Sequence, residues 1–181
     1  MSESSNPIMR FACWKLRMYQ ATVEWLDSAA QYGAGRILIR LLMAYEFWTA
    51  GIMKYNGNNW FGRFQENFLF PFNIVPPDIS WFLATWFELI GAVFILFGLF
   101  TRFWAFTLII LSIVAISAVH MPAEWPGFAN IWDSYRISKV DGSGNFRVPL
   151  LFIAMLSALL FTGAGKLSLD HWFEKRFFKN A

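Results

Sequence analysis

A long stretch without any charge, from Phe103 to Val119, limits this chain to few folds. Two further stretches, about Ile79 to Phe100 and Arg147 to Gly163, are also apolar, and ~18 such residues take a helix across a bilayer. Only 15% of the 181 residues are charged, compared with about 25% in soluble domains. The chain is therefore predicted to be an all-α membrane protein.

A fourth span is predicted ahead of these three, from about Arg36 to Tyr55. Arg40 and Glu46 lie inside it and weaken its hydropathy signal, but the segment is long enough to cross. The expected architecture is thus a four-transmembrane-helix bundle.

Local signals predict where the spans begin and end. Asp78 or Ser80 can cap the second span, because a short side-chain oxygen satisfies free amides of the first helical turn. Thr101-Arg102 makes a tight turn into the third span, so spans two and three form a hairpin. Pro149 suits the first turn of the fourth span. The polar region from Pro122 to Asn145 is predicted to be the longest loop.

Segments outside the spans are predicted to lie in the membrane interface. Arg10 to Gly33 carries aromatic and apolar residues at three- and four-residue steps but too many charges to span. A short surface helix is expected between Asn59 and Phe70, and Ser168 can cap a terminal amphipathic helix. The predicted domains are an N-terminal interfacial helix (1–35), a transmembrane domain (36–165) and a C-terminal interfacial helix (166–181).

Lysine and arginine are unevenly distributed between the two predicted sides of the membrane. The side with both termini carries ten: Arg10, Lys15, Arg17, Arg36, Arg40, Arg102, Lys166, Lys175, Arg176 and Lys179. The other side carries five: Lys54, Arg63, Arg136, Lys139 and Arg147. The positive-inside rule then places both termini in the cytoplasm. Because basic residues flank the spans and the net charge is only +3, the predicted partner is the lipid bilayer and not a nucleic acid.

Two acidic residues inside the spans are the first candidates for chemistry. Glu46 and Glu88 each lie roughly nine residues, or ~13 Å, from the outer end of their spans. Ser112 on span three and Ser157 on span four lie at the same depth. A polar layer across the bundle is therefore predicted. Because a lipid-facing carboxylate is costly, we expect both acids to face the interior, where a proton-handling or quinone-binding site would use them. In the alternative interpretation each is a neutral hydrogen-bonding group that joins helices.

Three basic side chains have different expected positions. Arg40 is expected to extend to the inner interface, away from Glu46. Lys54 either extends to the outer interface or reaches into the bundle as a counter-ion for Glu88. His120, at the outer end of span three, could bind a metal, move protons or form a hydrogen bond; because His171 lies on the opposite side, no metal site is predicted.

The order of several short patterns resembles the DoxX family of small four-span bacterial membrane proteins. These patterns are Arg40 followed by Gly51-x-x-Lys54, Glu88-x-x-Gly91, Gly98-x-x-Thr101-Arg102, a span ending in His120, and the tail Gly163-Ala-Gly165-Lys166-Leu167-Ser168-Leu169-Asp170. The charged N-terminal segment is similar to the HvfX-type branch, which is associated with copper-binding modified peptides.

The resemblance implies a multi-pass protein of the bacterial inner membrane. The DoxX family is best known through a membrane subunit of thiosulfate:quinone oxidoreductase. Carried over to this chain, Glu88 and Lys54 match its motif positions, while Gly51 and Gly91 match its small packing residues. Glu46 has no clear match.

Three functions stay open at this point. In the first, the chain is a quinone-linked redox membrane subunit in which Glu88 and Glu46 handle protons and Lys54, His120 or Ser112 contacts the quinone. In the second, it is a non-enzymatic partner or assembly factor for a metal-binding peptide or metal-handling system, with cargo bound by loops 61–74 and 122–145. In the third, it is a proton-coupled transporter, whose missing internal symmetry a homodimer would supply.

Overall fold

A computed structural model describes residues 7–122, 124, 127–139 and 143–178, and every regular element within these ranges is helical. The α-helices are α1 (Pro7–Tyr32), α2 (Ala34–Asn56), α3 (Pro77–Phe97), α4 (Thr101–Ala115), α5 (Gly127–Asn130), α6 (Arg147–Thr162) and α7 (Leu169–Phe173). Single π-helical turns, Ile116–His120 and Glu174–Phe178, extend α4 and α7. Lys179, which enters the predicted topology, and part of the predicted loop from Pro122 to Asn145 lie outside the described residues.

Two helices have the length and composition needed to cross a membrane. They are α3, with 21 residues, and α4 together with its π-helical turn, with 20 residues. Only 39% and 33% of their most apolar segments are buried, whereas an apolar core helix of a soluble protein is mostly buried. These helices agree with predicted spans two and three. Helix α6 is apolar but has only 16 residues, and α2 carries four charged residues.

The four helices predicted as spans pack around one core. Helix α2 lies along α3, α3 contacts α4, α4 packs against α6, and α6 returns to α2. All four contribute to the core, which contains Met43, Phe47, Ala92, Ile95, Ala105, Leu108, Leu156 and Leu159. Helix α1 contacts α2 near the junction between them, and most of its side chains are exposed.

The predicted hairpin between α3 and α4 is confirmed, but Thr101 and Arg102 do not form its turn, because they are the first residues of α4. The turn runs from Gly98 to Phe100 and depends on Gly98. This residue ends α3 with φ +66°, a left-handed conformation that side chains disfavour. A Cβ atom at Gly98 would also lie 2.7 Å from Ser168 Cβ and 2.8 Å from Arg40 Cζ. Glycine is therefore required both by the turn and by the two side chains packed against it.

The predicted surface helix between Asn59 and Phe70 is wrong. This segment and the residues after it form three separate 3₁₀ turns, Phe61–Arg63, Gln65–Asn67 and Phe72–Ile74. Gln65 Nε2 donates to the carbonyls of Asn73, at 2.8 Å, and of Val75, which folds the chain back on itself. A continuous helix cannot make these contacts because it would carry Gln65 away from the later carbonyls.

The predicted cap of α3 is also wrong. The helix begins at Pro77, and Pro76 at its N-cap offers no side-chain acceptor. Asp78 instead accepts a hydrogen bond from Asn59 Nδ2 at 2.7 Å, and the buried Ser80 hydroxyl has no partner among the described residues. Proline has no amide hydrogen and a fixed φ, so Pro77 starts the helix without a side-chain cap.

The signals at two other helix ends are confirmed. Pro149 occupies the first turn of α6. Ser168 Oγ accepts a hydrogen bond from the amide of His171 at 3.2 Å and caps α7. Both signals act on their own turn, which is why they could be identified without knowledge of the rest of the fold.

Candidate functional site

Lys54 and Glu88 form an ion pair between α2 and α3. Lys54 Nζ lies 2.9 Å from Glu88 Oε1 and 2.7 Å from Glu88 Oε2. The two side chains are only 14% and 11% exposed. Of the two positions considered for Lys54, the structure has the one that reaches into the bundle as a counter-ion.

A close approach of the two helices makes this pair possible. Gly51 lies one helical turn before Lys54, and a Cβ atom there would lie 2.7 Å from Leu89 Cγ. Because Gly51 has no side chain, α2 can lie directly against α3 beside Glu88. The packing role that the DoxX resemblance implied for Gly51 is confirmed, and so is that of Gly91, where a Cβ atom would lie 3.1 Å from the Trp104 ring.

The ion pair retains hydrogen-bonding capacity. An ammonium group has three N–H donors, and Lys54 directs two of them to Glu88. Lys54 makes no other hydrogen bond with a described residue, so its third N–H can bind an oxygen atom of a ligand. Each Glu88 oxygen likewise retains a second lone pair. The pair is electrically balanced and can still bind one further polar group.

Glu46 does not take part in this pair. It is partly buried on α2, eight residues before Lys54, which corresponds to about 12 Å along the helix. It forms no hydrogen bond or ion pair with another residue in the described ranges. Glu88 is therefore paired with a base, and the expected juxtaposition of two carboxyl groups is not seen.

Ser112 is buried on α4, but it does not bridge helices. Its hydroxyl donates to the carbonyl of Leu108, one turn earlier, at 2.8 Å. Ser112 lies in α4 as predicted, but it forms no hydrogen bond with Glu88 in the described structure, because this hydroxyl is bonded within its own helix.

His120 ends the π-helical turn after α4, where the sequence placed it. Its Nδ1 atom lies 2.9 Å from Asn145 Oδ1, and its carbonyl accepts the Asn145 amide at 2.9 Å. The chain before α6 is thus held against the end of α4. His120 Nε2 makes no hydrogen bond within the described part of the chain and can still bind an external group.

The expectation that Arg40 extends to the interface is wrong. This residue is only 5% exposed and lies inside the end of the bundle. Its guanidinium donates four hydrogen bonds, to the carbonyls of Ile95 (2.9 Å), Leu96 (2.6 Å), Ala164 (3.2 Å) and Leu167 (2.8 Å). Ile95 and Leu96 lie in the last turn of α3, where carbonyls lack i+4 partners, and Ala164 and Leu167 lie between α6 and α7. These carbonyls supply a better site for the charge than the interface.

Asp170 has a role that the sequence analysis missed. Its carboxylate accepts the amides of Phe100 at 2.7 Å and Thr101 at 3.0 Å, and so caps α4 from the far end of the chain. The Asp170 amide donates to the carbonyl of Gly98 at 2.9 Å. The available signal was the tail from Gly163 to Asp170, which the sequence analysis used only for its family resemblance.

These features define a class of protein. The molecule is a helical membrane protein with two basic residues turned into the bundle, Arg40 against backbone carbonyls and Lys54 against an acid. The DoxX family model matches residues 35–121. An uncharacterized protein of Haemophilus influenzae is 37% identical over 143 residues, covering 79% of this chain and 85% of that protein. The chain belongs to the DoxX family. No solved structure matches it.

Proposed function

We propose that α2, α3, α4 and α6 all span the bacterial inner membrane, with both termini in the cytoplasm and α1 and α7 in its interface. The shared core supports four spans. The outward faces of these helices also support four spans, since they carry exposed apolar residues such as Leu38, Leu41, Phe106 and Phe161. The charges that weaken the hydropathy of α2 do not oppose this, because Arg40 and Lys54 have partners inside the bundle.

Fusions of a reporter that is active only in the cytoplasm test this topology. Fusion at either terminus should give a signal, and fusion after Asp141 should give none, because the ten-to-five distribution of Lys and Arg orients the bundle. A cytoplasmic signal from the Asp141 fusion would show the reverse orientation.

For its activity, we propose a membrane subunit of a quinone-linked redox system, with the Lys54–Glu88 pair as its working centre. The observation that carries this is the geometry of the pair: a basic and an acidic side chain in contact at 2.7 Å, inside an apolar bundle, with one N–H left over. Ionisable groups within membrane helices are costly, and they commonly mark ligand or proton pathways.

Each residue then has a defined task. A quinone would supply the electron-accepting chemistry, and a partner reductase the electrons. The third N–H of Lys54 would donate to a carbonyl oxygen, as His120 Nε2 could at the outer end of the bundle. Glu88 would hold or release a proton beside that oxygen, with Glu46 as a second carboxyl farther along α2. Ser112, bonded within α4, would contribute only as a polar wall.

Titration of the purified full-length protein with decylubiquinone tests this proposal. Lys54→Met should weaken binding about tenfold or more, because a charge-assisted hydrogen bond is lost. Arg63→Gln, an exposed residue without an ion pair in the described chain, is the matched control and should leave binding unchanged. Absence of binding by the unaltered protein, together with no effect on a reductase partner's quinone turnover, would rule the proposal out.

A second candidate function rests on a different observation. The segments that follow α2 and α5 expose Phe70, Ile74, Trp132 and Ile137. Exposed apolar groups on loops can bind a partner, and the alternative of an assembly factor for a metal-binding peptide would use them. Cross-linking in native membranes should then recover a peptide or protein through these loops, and Trp132→Ser with Ile137→Ser should abolish the cross-link. Recovery of a second copy of the chain would instead indicate a homodimer.

A further inference from the structure

A cavity of about 500 Å³ opens at the end of the bundle where α4 begins and α6 ends. It lies at the opposite end of α2 from Lys54 and takes no part in the function proposed above. Its wall carries Arg36, Arg102 and Lys166. These three cations come from separate segments, namely the start of α2, the start of α4 and the turn after α6.

The two arginines lie on either side of the same turn. A Cβ atom at Gly163 would lie 3.8 Å from Arg102 Nε, and one at Gly165 would lie 3.5 Å from Arg36 Nη1. Neither guanidinium forms a hydrogen bond or ion pair with any residue that the structure describes. Two fork-shaped donors without acidic partners thus face one small cavity.

Of the two acidic residues in the same wall, Asp170 is already fully hydrogen-bonded. Both oxygens of Asp170 accept backbone amides at the start of α4. Glu174 lies 3.6 Å from His171 Nδ1, with most of its own side chain exposed. Lys166 Nζ lies 5.2 Å from the centre of the Tyr32 ring, which leaves its hydrogen-bond donors available. Three cations and two carboxylates therefore line the cavity, and the net charge of its wall is positive.

Thr101 adds to the same wall a buried polar group without a partner in the described chain. This residue lines the cavity and is 0% exposed, and its hydroxyl has no hydrogen-bond partner among the described residues. A buried hydroxyl without a partner is costly. An oxygen atom of a bound anion would accept its proton.

We propose that this cavity binds the phosphate group of an anionic membrane lipid. Arginine pairs with phosphate through parallel N–H bonds, and basic pockets between membrane helices suit lipid headgroups. The exposed rings of Phe100 and Phe103 lie at the same wall. These rings offer an apolar surface to the glycerol and acyl part of a lipid, which free phosphate does not have.

The test measures binding of dioleoyl phosphatidylglycerol to the full-length protein in detergent by native mass spectrometry. Arg36→Gln and Arg102→Gln should each weaken binding about fivefold, and the double variant about 25-fold. Arg63→Gln, at the other end of the bundle, should change it less than twofold. An equal loss in Arg63→Gln would show that general charge attraction, not this cavity, binds the lipid.

Two further arms establish the chemistry. Dioleoyl phosphatidylcholine should bind at least tenfold more weakly than phosphatidylglycerol, and equal binding would overturn the preference for an anionic lipid. Excess inorganic phosphate should not displace phosphatidylglycerol, and complete displacement would show that the site takes soluble phosphate instead. The double variant Arg36→Lys with Arg102→Lys retains the charge. This Lys variant should keep most of the phosphatidylglycerol binding even if the Gln variants fold poorly. Loss of binding in a folded Lys variant would also refute the site.

Discussion

Helix α2 carries two buried basic residues in opposite kinds of site. Arg40 donates to four backbone carbonyls, whereas Lys54 is held by one carboxylate side chain. Backbone carbonyls do not change protonation, and those of Ile95 and Leu96 cannot move without unfolding the end of α3. A side-chain pair can exchange a proton, separate and bind a ligand. A charge within a membrane helix therefore indicates function only when its partner can change its protonation or its position.

The largest loss of stability is expected for Arg40→Gln. Glutamine has only two N–H donors on a shorter chain, so most of the four carbonyls would lose their partner. At ~1–3 kcal/mol for each buried unsatisfied group, the free energy of unfolding should fall by about 3 kcal/mol or more. Unfolding in detergent, compared with Arg63→Gln, measures this. A loss below ~1 kcal/mol would mean that Arg40 is not a structural residue.

Glu88→Leu should have the next largest effect, because it leaves the Lys54 ammonium without its partner. We expect a loss of ~1–3 kcal/mol. The matched variant is Glu88→Leu combined with Lys54→Met, which removes both charges and should recover most of the stability. If the double variant is as unstable as the single one, the pair contributes through packing and not through its charges.

Asp170→Ala should have a moderate effect by removing the remote cap of α4. Loss of an N-terminal cap costs ~0.5–2 kcal/mol, and Asp170→Asn should retain part of it because one acceptor oxygen remains. Asp133→Ala, in the exposed turn after α5, is the control and should stay within ~0.5 kcal/mol. Equal stability of Asp170→Ala and Asp133→Ala would contradict the capping role.

Glu88→Gln should have the smallest effect on stability and a large one on activity. Glutamine keeps the shape and an oxygen acceptor for Lys54, so the free energy of unfolding should change by less than ~1 kcal/mol. It cannot exchange a proton, and quinone turnover with a partner reductase should fall by roughly a hundredfold.

Growth complementation and unfolding should be measured on the same Glu88→Gln preparation, with Glu46→Gln as its companion. Full complementation by Glu88→Gln would remove Glu88 from proton handling and favour the partner-binding function. A loss of complementation in Glu46→Gln as well would place both acids on one proton path.

The sequence alone was sufficient for the positions of the long helices. The bounds of α2 and α6, the cap at Ser168 and the helix start near Pro149 came from hydropathy and short-range signals. So did the existence of the hairpin, although its turn precedes Thr101-Arg102. These succeed because a helix satisfies its own backbone, and because a cap acts within one turn of its residue. The same approach failed between Asn59 and Phe70, where Gln65 bonds carbonyls eight and ten residues later.

Only the tertiary structure decided the partner of each internal charge. The sequence named Lys54, Glu88, Arg40 and Glu46 as unusual residues in the spans, and it left open which of them meet. That outcome depends on the rotation and approach of whole helices. The missing side chain of Gly51 brings Glu88 within reach of Lys54, and the turn at Gly98 presents carbonyls to Arg40. Hydropathy averages over a helix and contains no information on these long-range contacts, so their geometry appears only when the helices are packed together.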